Sequence, residues 1–158
     1  MDTIASPSSP SPTGGLPALH NRIADRLGQW ISHDLIALAA RIGIAGTFWL
    51  SGRTKVEGLL TVSENAIALF QEEYRLPLLS PALGAHLAAY AEHLFPILLV
   101  LGLFTRFSAI ALLGMTAVIQ ILVYPSAWPT HFVWAAALLY LAGRGAGRVS
   151  LDALLRLR

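Results

Sequence analysis

Residues 82–104 read ALGAHLAAYAEHLFPILLVLGLF, and this stretch decides the fold. A helix of this length crosses the roughly 30 Å hydrocarbon core of a bilayer, and its only ionisable side chains near neutral pH are His86, Glu92 and His93. Pro77 and Pro81 break the chain before it, and Pro96 inside it is a kink that membrane helices tolerate. Thr105-Arg106 leaves room for only a tight hairpin into a second apolar run, Phe107 to Tyr124, which Pro125 ends. Two further runs fit the same reading: Leu35 to Gly52 behind a capping Asp34, and Trp128 to Gly143 with Trp and Tyr as interfacial anchors. The expectation is an all-α integral membrane four-helix bundle with spans near 35–52, 82–104, 107–124 and 128–143. No strand pattern and no internal repeat is visible.

Composition agrees. The chain has 158 residues, 55% of them apolar and 13% charged, with a mean hydropathy of +0.61, which is too apolar for an ordinary soluble domain. The absence of cysteine excludes disulfides, thiolate metal sites and thiol chemistry within this chain. A formal charge of +2 does not indicate nucleic acid, because the basic residues flank apolar runs instead of clustering with aromatics. Residues 1–18 are a Ser/Pro-rich stretch with neither a basic start nor an apolar core, and read as a disordered tail, not a cleaved signal. The rest, 19–158, is one membrane domain.

Two amphipathic segments flank the first span. Leu19, Ile23, Leu27, Trp30 and Ile31 recur at helical spacing opposite Arg22, Asp25, Arg26 and Gln29, as in a helix lying on the membrane surface. In the first outer connection Val62, Ala66, Ile67, Phe70 and Tyr74 form an apolar face opposite Glu64, Gln71, Glu72 and Glu73, predicting an additional surface helix. Lys and Arg set the orientation: Arg22, Arg26, Arg106, Arg144, Arg148, Arg156 and Arg158 fall on one side, and Arg53, Lys55 and Arg75 on the other. By the positive-inside rule both termini are cytoplasmic.

Ionisable groups inside a bilayer cost a few kcal/mol and face the bundle interior, so each is a candidate for function. At about 1.5 Å per residue Arg41 lies roughly 10 Å from the cytoplasmic ends, Glu92 and His93 roughly 17 Å and Gln120 roughly 19 Å. Arg41, Ala45, Phe48, Gly52 and Lys55 form one stripe on the first helix. His86, Tyr90 and His93 share a side of the second, and Thr116, Gln120 and Tyr124 a side of the third. Glu92 must be paired, hydrogen-bonded or protonated there. Structural alternatives are Arg41 snorkelling to the surface, an Arg41–Glu92 pair, and His93 bonded to a neighbouring helix. At the outer face Lys55, Tyr124, Trp128, His131 and Trp134 are expected to form a mouth, unless the Trp residues are only anchors.

The chain resembles the DoxX family of small four-helix membrane proteins. The resemblance rests on Arg41, on Gly52-Arg53-Thr54-Lys55, on Leu76-Pro77 and Glu92, on Leu101-Gly102-Leu103-Phe104-Thr105-Arg106 and on Gly147-Arg148-Val149-Ser150-Leu151-Asp152. It implies a bacterial inner-membrane protein and, for parts of the family, quinone-linked oxidation and complexes against oxidative stress. Glu92-His93-Leu94-Phe95-Pro96 and the stretch from Tyr124 to His131 are similar to members encoded beside enzymes that modify metal-handling peptides.

The leading functional expectation is a quinone-linked redox accessory subunit in oxidative or metal stress, holding a quinone or quinol beside a membrane oxidoreductase. Glu92 and His93 would exchange the proton; Arg41, Lys55, Gln120, Tyr124, His131 and Trp134 would line the ligand. A second reading is a non-catalytic partner of a metal-handling peptide system, with His86, His93 and His131 as contacts; without Cys, and with no His pair at i, i+4, no metal site is assigned. A third is a proton-coupled small-molecule transporter, dimerised through Gly43 and Gly46.

Overall fold

The computed structural model describes residues 15–157, and the chain divides into two units after Ser32. The expected disordered tail falls, up to residue 14, outside the described residues. In the first unit helix α1, Leu16–Trp30, starts after an extended Gly15 with Pro17 in its first turn, where the missing N–H costs nothing. None of its residues is buried, and Leu19, Ile23, Leu27 and Trp30 leave an apolar stripe open.

The second unit is built on four long helices: α2 His33–Arg53, α4 Pro81–Leu101, α5 Thr105–Val118 and α6 Trp128–Arg144. Helix α2 packs most closely on α4, and α5 on α6, with α4–α5 and α2–α6 seams closing the bundle. Three segments, His33–Arg53, Pro81–Leu101 and Thr105–Val123, are long and apolar enough to cross a membrane, while α6 has 17 residues. The core is a column of Ala37, Ile44, Ala45, Phe48, Leu99, Ala109, Leu112, Leu138 and Leu141. Ile42, Leu50, Leu87, Leu94, Ile110, Phe132 and Leu139 face outward, the pattern of a bundle whose solvent is lipid.

The connection between α2 and α4 differs from expectation. It contains a two-stranded antiparallel hairpin, β1 Val56–Glu57 and β2 Thr61–Val62, where no strand pattern was legible. Two residues per strand are too few for a periodicity to show. The hairpin is held by its turn: Gly58 supplies a φ of 61°, and Arg53 donates to the Gly58 and Leu59 carbonyls at 2.8 and 2.9 Å. Ser63 then caps α3, Glu64–Leu69, which runs into a π-turn, Phe70–Tyr74, closed by a left-handed Arg75. The expected apolar face is present, but Ala66 and Phe70 bury it against Ala85 of α4. Gly84 makes this approach possible, since a Cβ there would meet the Phe70 ring at 2.8 Å. A second π-turn, Ile119–Val123, extends α5 to Tyr124.

The end of the bundle carrying the start of α2 is tied by polar bonds. Helix α4 stops at Leu101 because Gly102 takes φ 64°, and a Cβ there would lie 2.8 Å from Arg41 Cζ. Arg41 is buried and donates to four carbonyls: Leu99 and Val100 at 2.7 Å each, Ala146 at 3.0 Å and Val149 at 2.7 Å. Two of these are carbonyls of the last turn of α4, where a cation complements the negative end of the helix. Asp152, in the short helix α7 (Leu151–Leu154), accepts from the Phe104 and Thr105 N–H groups that open α5. Asp34 accepts from the Arg148 backbone at 2.7 Å and side chain at 2.8 Å. Arg106 donates to the terminal carbonyls of α6, Ala142 and Gly143.

Candidate functional site

The expected column of polar residues resolves into separate groups. At its centre, Lys55 at the end of α2 reaches back over its own helix to Glu92 of α4, with Nζ and Oε2 2.7 Å apart and both side chains almost wholly buried. Lys55 also donates to Ser51 Oγ at 3.0 Å and to the Ser51 carbonyl at 3.3 Å. The partner of Glu92 is therefore Lys55 and not Arg41, whose donors face the carbonyls at the far end of α4. Arg41 neither snorkels nor takes part in this cluster.

His93 lies beside the pair on the α2 side of α4. Its Nδ1 is 2.6 Å from the Ala89 carbonyl, which accepts only, so Nδ1 carries the hydrogen. In the neutral ring Nε2 is then the acceptor, and it is buried without a partner. Gly52 lets the two helices close around this cluster, because a Cβ there would meet Glu92 Cβ at 2.9 Å and the His93 ring at 3.0 Å. The edge of Trp49 packs on the His93 ring at a centroid distance of 4.9 Å.

Gln120, His131 and Trp134 form a second group between α5 and α6. His131 Nδ1 donates to Gln120 Oε1 at 2.7 Å, Gln120 Nε2 donates to the Pro125 carbonyl, and Trp134 bridges His131 to Phe48. Gln120 is thereby occupied, and no hydrogen bond or ion pair joins it to Glu92 among the described residues. Tyr124 belongs to a third group: its hydroxyl donates to Glu73, and its ring meets Tyr74 edge-on at 6.0 Å. Burial, then the neighbouring Glu92 and Glu73 charges, raise the Tyr74 phenol above its ordinary value. Trp128 stands outward against Phe132, away from any mouth.

Sequence reasoning overlooked Ser51, Trp49, Glu73 and the placement of Tyr74. The Ser51–Lys55 spacing of four was a legible signal. Tyr74 was not legible as a neighbour of Glu92, because a π-turn and hairpin bring it there. The three candidate metal contacts stay apart: His86 bonds the Ala82 carbonyl, His93 that of Ala89, and His131 the Gln120 amide. Among the described residues no three His, Asp or Glu side chains gather at ligand spacing.

An apolar groove of about 400 Å³ runs along the α2–α4 seam below this cluster, walled by Trp49, Ile42, Pro96, Ile97 and Val100 and floored by Ala45 and Gly46. Trp49 thus touches both groove and His93.

Comparison with known proteins fixes the family. Residues 36–125, more than half of the chain, match the DoxX family model. A protein of Haemophilus influenzae described as uncharacterized is 30% identical over 138 residues, covering 81% of this chain and 88% of its own. No solved structure matches. The match begins at the apolar face of α2 and holds Arg41, the Lys55–Glu92 pair, His93 and both π-turns. With three helices long and apolar enough to cross a bilayer, the chain is a multi-pass membrane protein belonging to the DoxX family.

Proposed function

We propose that this protein is a quinol-binding accessory subunit of a membrane oxidoreductase, placed in a bacterial inner membrane with both termini cytoplasmic. The observation that carries the reading is His93 Nε2, a buried acceptor with no partner beside a buried ion pair. An acceptor nitrogen complements a hydroxyl, so the site favours the reduced hydroquinone over the carbonyls of a quinone. Leaving such a nitrogen unsatisfied costs about 1–3 kcal/mol, which a donor ligand recovers.

A quinol held here would supply two-electron chemistry to the oxidoreductase partner. The chain's own residues handle position and proton. The α2–α4 groove offers an isoprenoid tail an apolar bed open to lipid, and Trp49, which lies between that bed and His93, has to turn aside for the head group to reach Nε2. Nε2 would accept one ring hydroxyl and take its proton, the second hydroxyl releasing its own to water. The Glu92 carboxylate, held by Lys55, stabilises the imidazolium formed beside it. Arg41, Gln120 and His131 orient helices in this reading and do not touch the ligand.

The test is lipid extraction from protein purified in mild detergent, with quinol content measured for wild type, His93→Phe and Glu92→Gln. Bound quinol is expected in wild type and a loss of roughly tenfold or more in His93→Phe. Equal quinol content in wild type and His93→Phe, or none in either, would sink the reading.

A further inference from the structure

A second cavity, of about 620 Å³, lies at the Arg41 end of the bundle between the α5 N-terminus, the α6 C-terminus and the segment that follows α6. Its wall carries Arg106, Arg144 and Arg148 against Asp34 and Asp152, leaving one positive charge. Both carboxylates are already satisfied. Asp34 is bound to Arg148, and Asp152 accepts the first N–H groups of α5. The cations are not: Arg106 uses only Nη1 on the α6 carbonyls, Arg148 only Nε on Asp34, and Arg144 has no side-chain partner among the described residues.

A second, independent observation points to a ligand. Thr105 lines the cavity, is fully buried, and its hydroxyl has no hydrogen-bond partner. A buried hydroxyl is ordinarily bonded. Phe104, Phe107 and Leu157 line the same cavity and are exposed. The cavity therefore joins an anion-complementary floor to an apolar rim at the end of membrane-spanning helices.

We infer that this cavity binds the phosphate of an anionic phospholipid, whose headgroup charge, not neutralised by a cation of its own, matches the single net positive charge. Arg144 and the free Arg106 donors clamp the phosphate oxygens, the Thr105 hydroxyl, closed off in the empty cavity, turns to donate from below, and the acyl chains lie along Phe104 and Phe107. The site is separate from the His93 cluster and does not depend on the quinol reading.

The experiment is native mass spectrometry of the full chain released from micelles containing equal phosphatidylglycerol and phosphatidylcholine, with inorganic phosphate as competitor. Wild type is expected to retain one phosphatidylglycerol in preference to phosphatidylcholine, with Arg144→Gln and Thr105→Val each weakening retention roughly fivefold or more. Thr105→Val removes an unpaired hydroxyl at nearly constant volume, so its thermal midpoint should equal or exceed that of wild type. That separates lost affinity from lost folding. No lipid preference, or unchanged retention in both variants, overturns the proposal. Displacement by millimolar inorganic phosphate would assign the cavity to free phosphate and overturn the lipid source.

Discussion

Lys55 and Glu92 show how little a helix face says about which charges meet. The stripe from Arg41 to Lys55 places two cations on the same side of α2, and Glu92 stands within a helix packed against it. Spacing alone allows either pairing. The choice is made by what else each cation finds: Arg41 meets four carbonyls, two of them in the last turn of α4, which take up four of its five N–H donors. Among the described residues the Lys55 ammonium finds only Ser51 and Glu92. Removing one partner of a buried pair leaves an uncompensated charge, whereas removing both leaves an apolar contact. Lys55→Met is accordingly expected to lower stability by about 3–5 kcal/mol, and Lys55→Met with Glu92→Leu to recover most of that loss. Reversible unfolding in mixed micelles measures both. Additive losses in the double variant would show that the pair is not the unit of stability.

Among the elements, the α2–α4 seam is where small residues decide the geometry. Gly52 sits at the level of Glu92 and His93 with no room for a methyl group, while Gly43 and Gly46 have nothing within 4 Å of where a Cβ would stand. Glycine therefore has two meanings on one helix, and sequence does not distinguish them. Gly52→Ala should force α2 and α4 apart, with a cost of about 1–3 kcal/mol and a lowered thermal midpoint. A midpoint equal to that of wild type would show that the seam can yield. The long helices themselves were legible because apolar run length is a direct consequence of bilayer thickness. The hairpin and the π-turns were not, because they depend on a few backbone angles and on Phe70 and Tyr74 docking on α4.

At the scale of the whole chain, the segment after α6 gives the bundle its closure. Ala146 and Val149 receive Arg41, Arg148 pairs with Asp34, and Asp152 caps α5, so α2 and α5 are tied to the end of α6 by one short stretch. The proposed topology puts this end in the cytoplasm. A reporter fused to the C-terminus is expected to be active only in a cytoplasmic form; activity only outside the cell would reverse the assignment.

The sequence by itself determined that the chain is helical and membrane-embedded, which family it resembles, and that Glu92 needs a partner. Each follows from composition, run length or the cost of a buried charge, which are properties of residues taken in order. Only the tertiary structure decided that the partner is Lys55, that Arg41 ties carbonyls, that Gln120 and Tyr124 are spent elsewhere, and that His93 Nε2 is buried and unsatisfied. Those outcomes depend on which side chain reaches a competing partner first, and that is set by how helices are rotated and offset against one another.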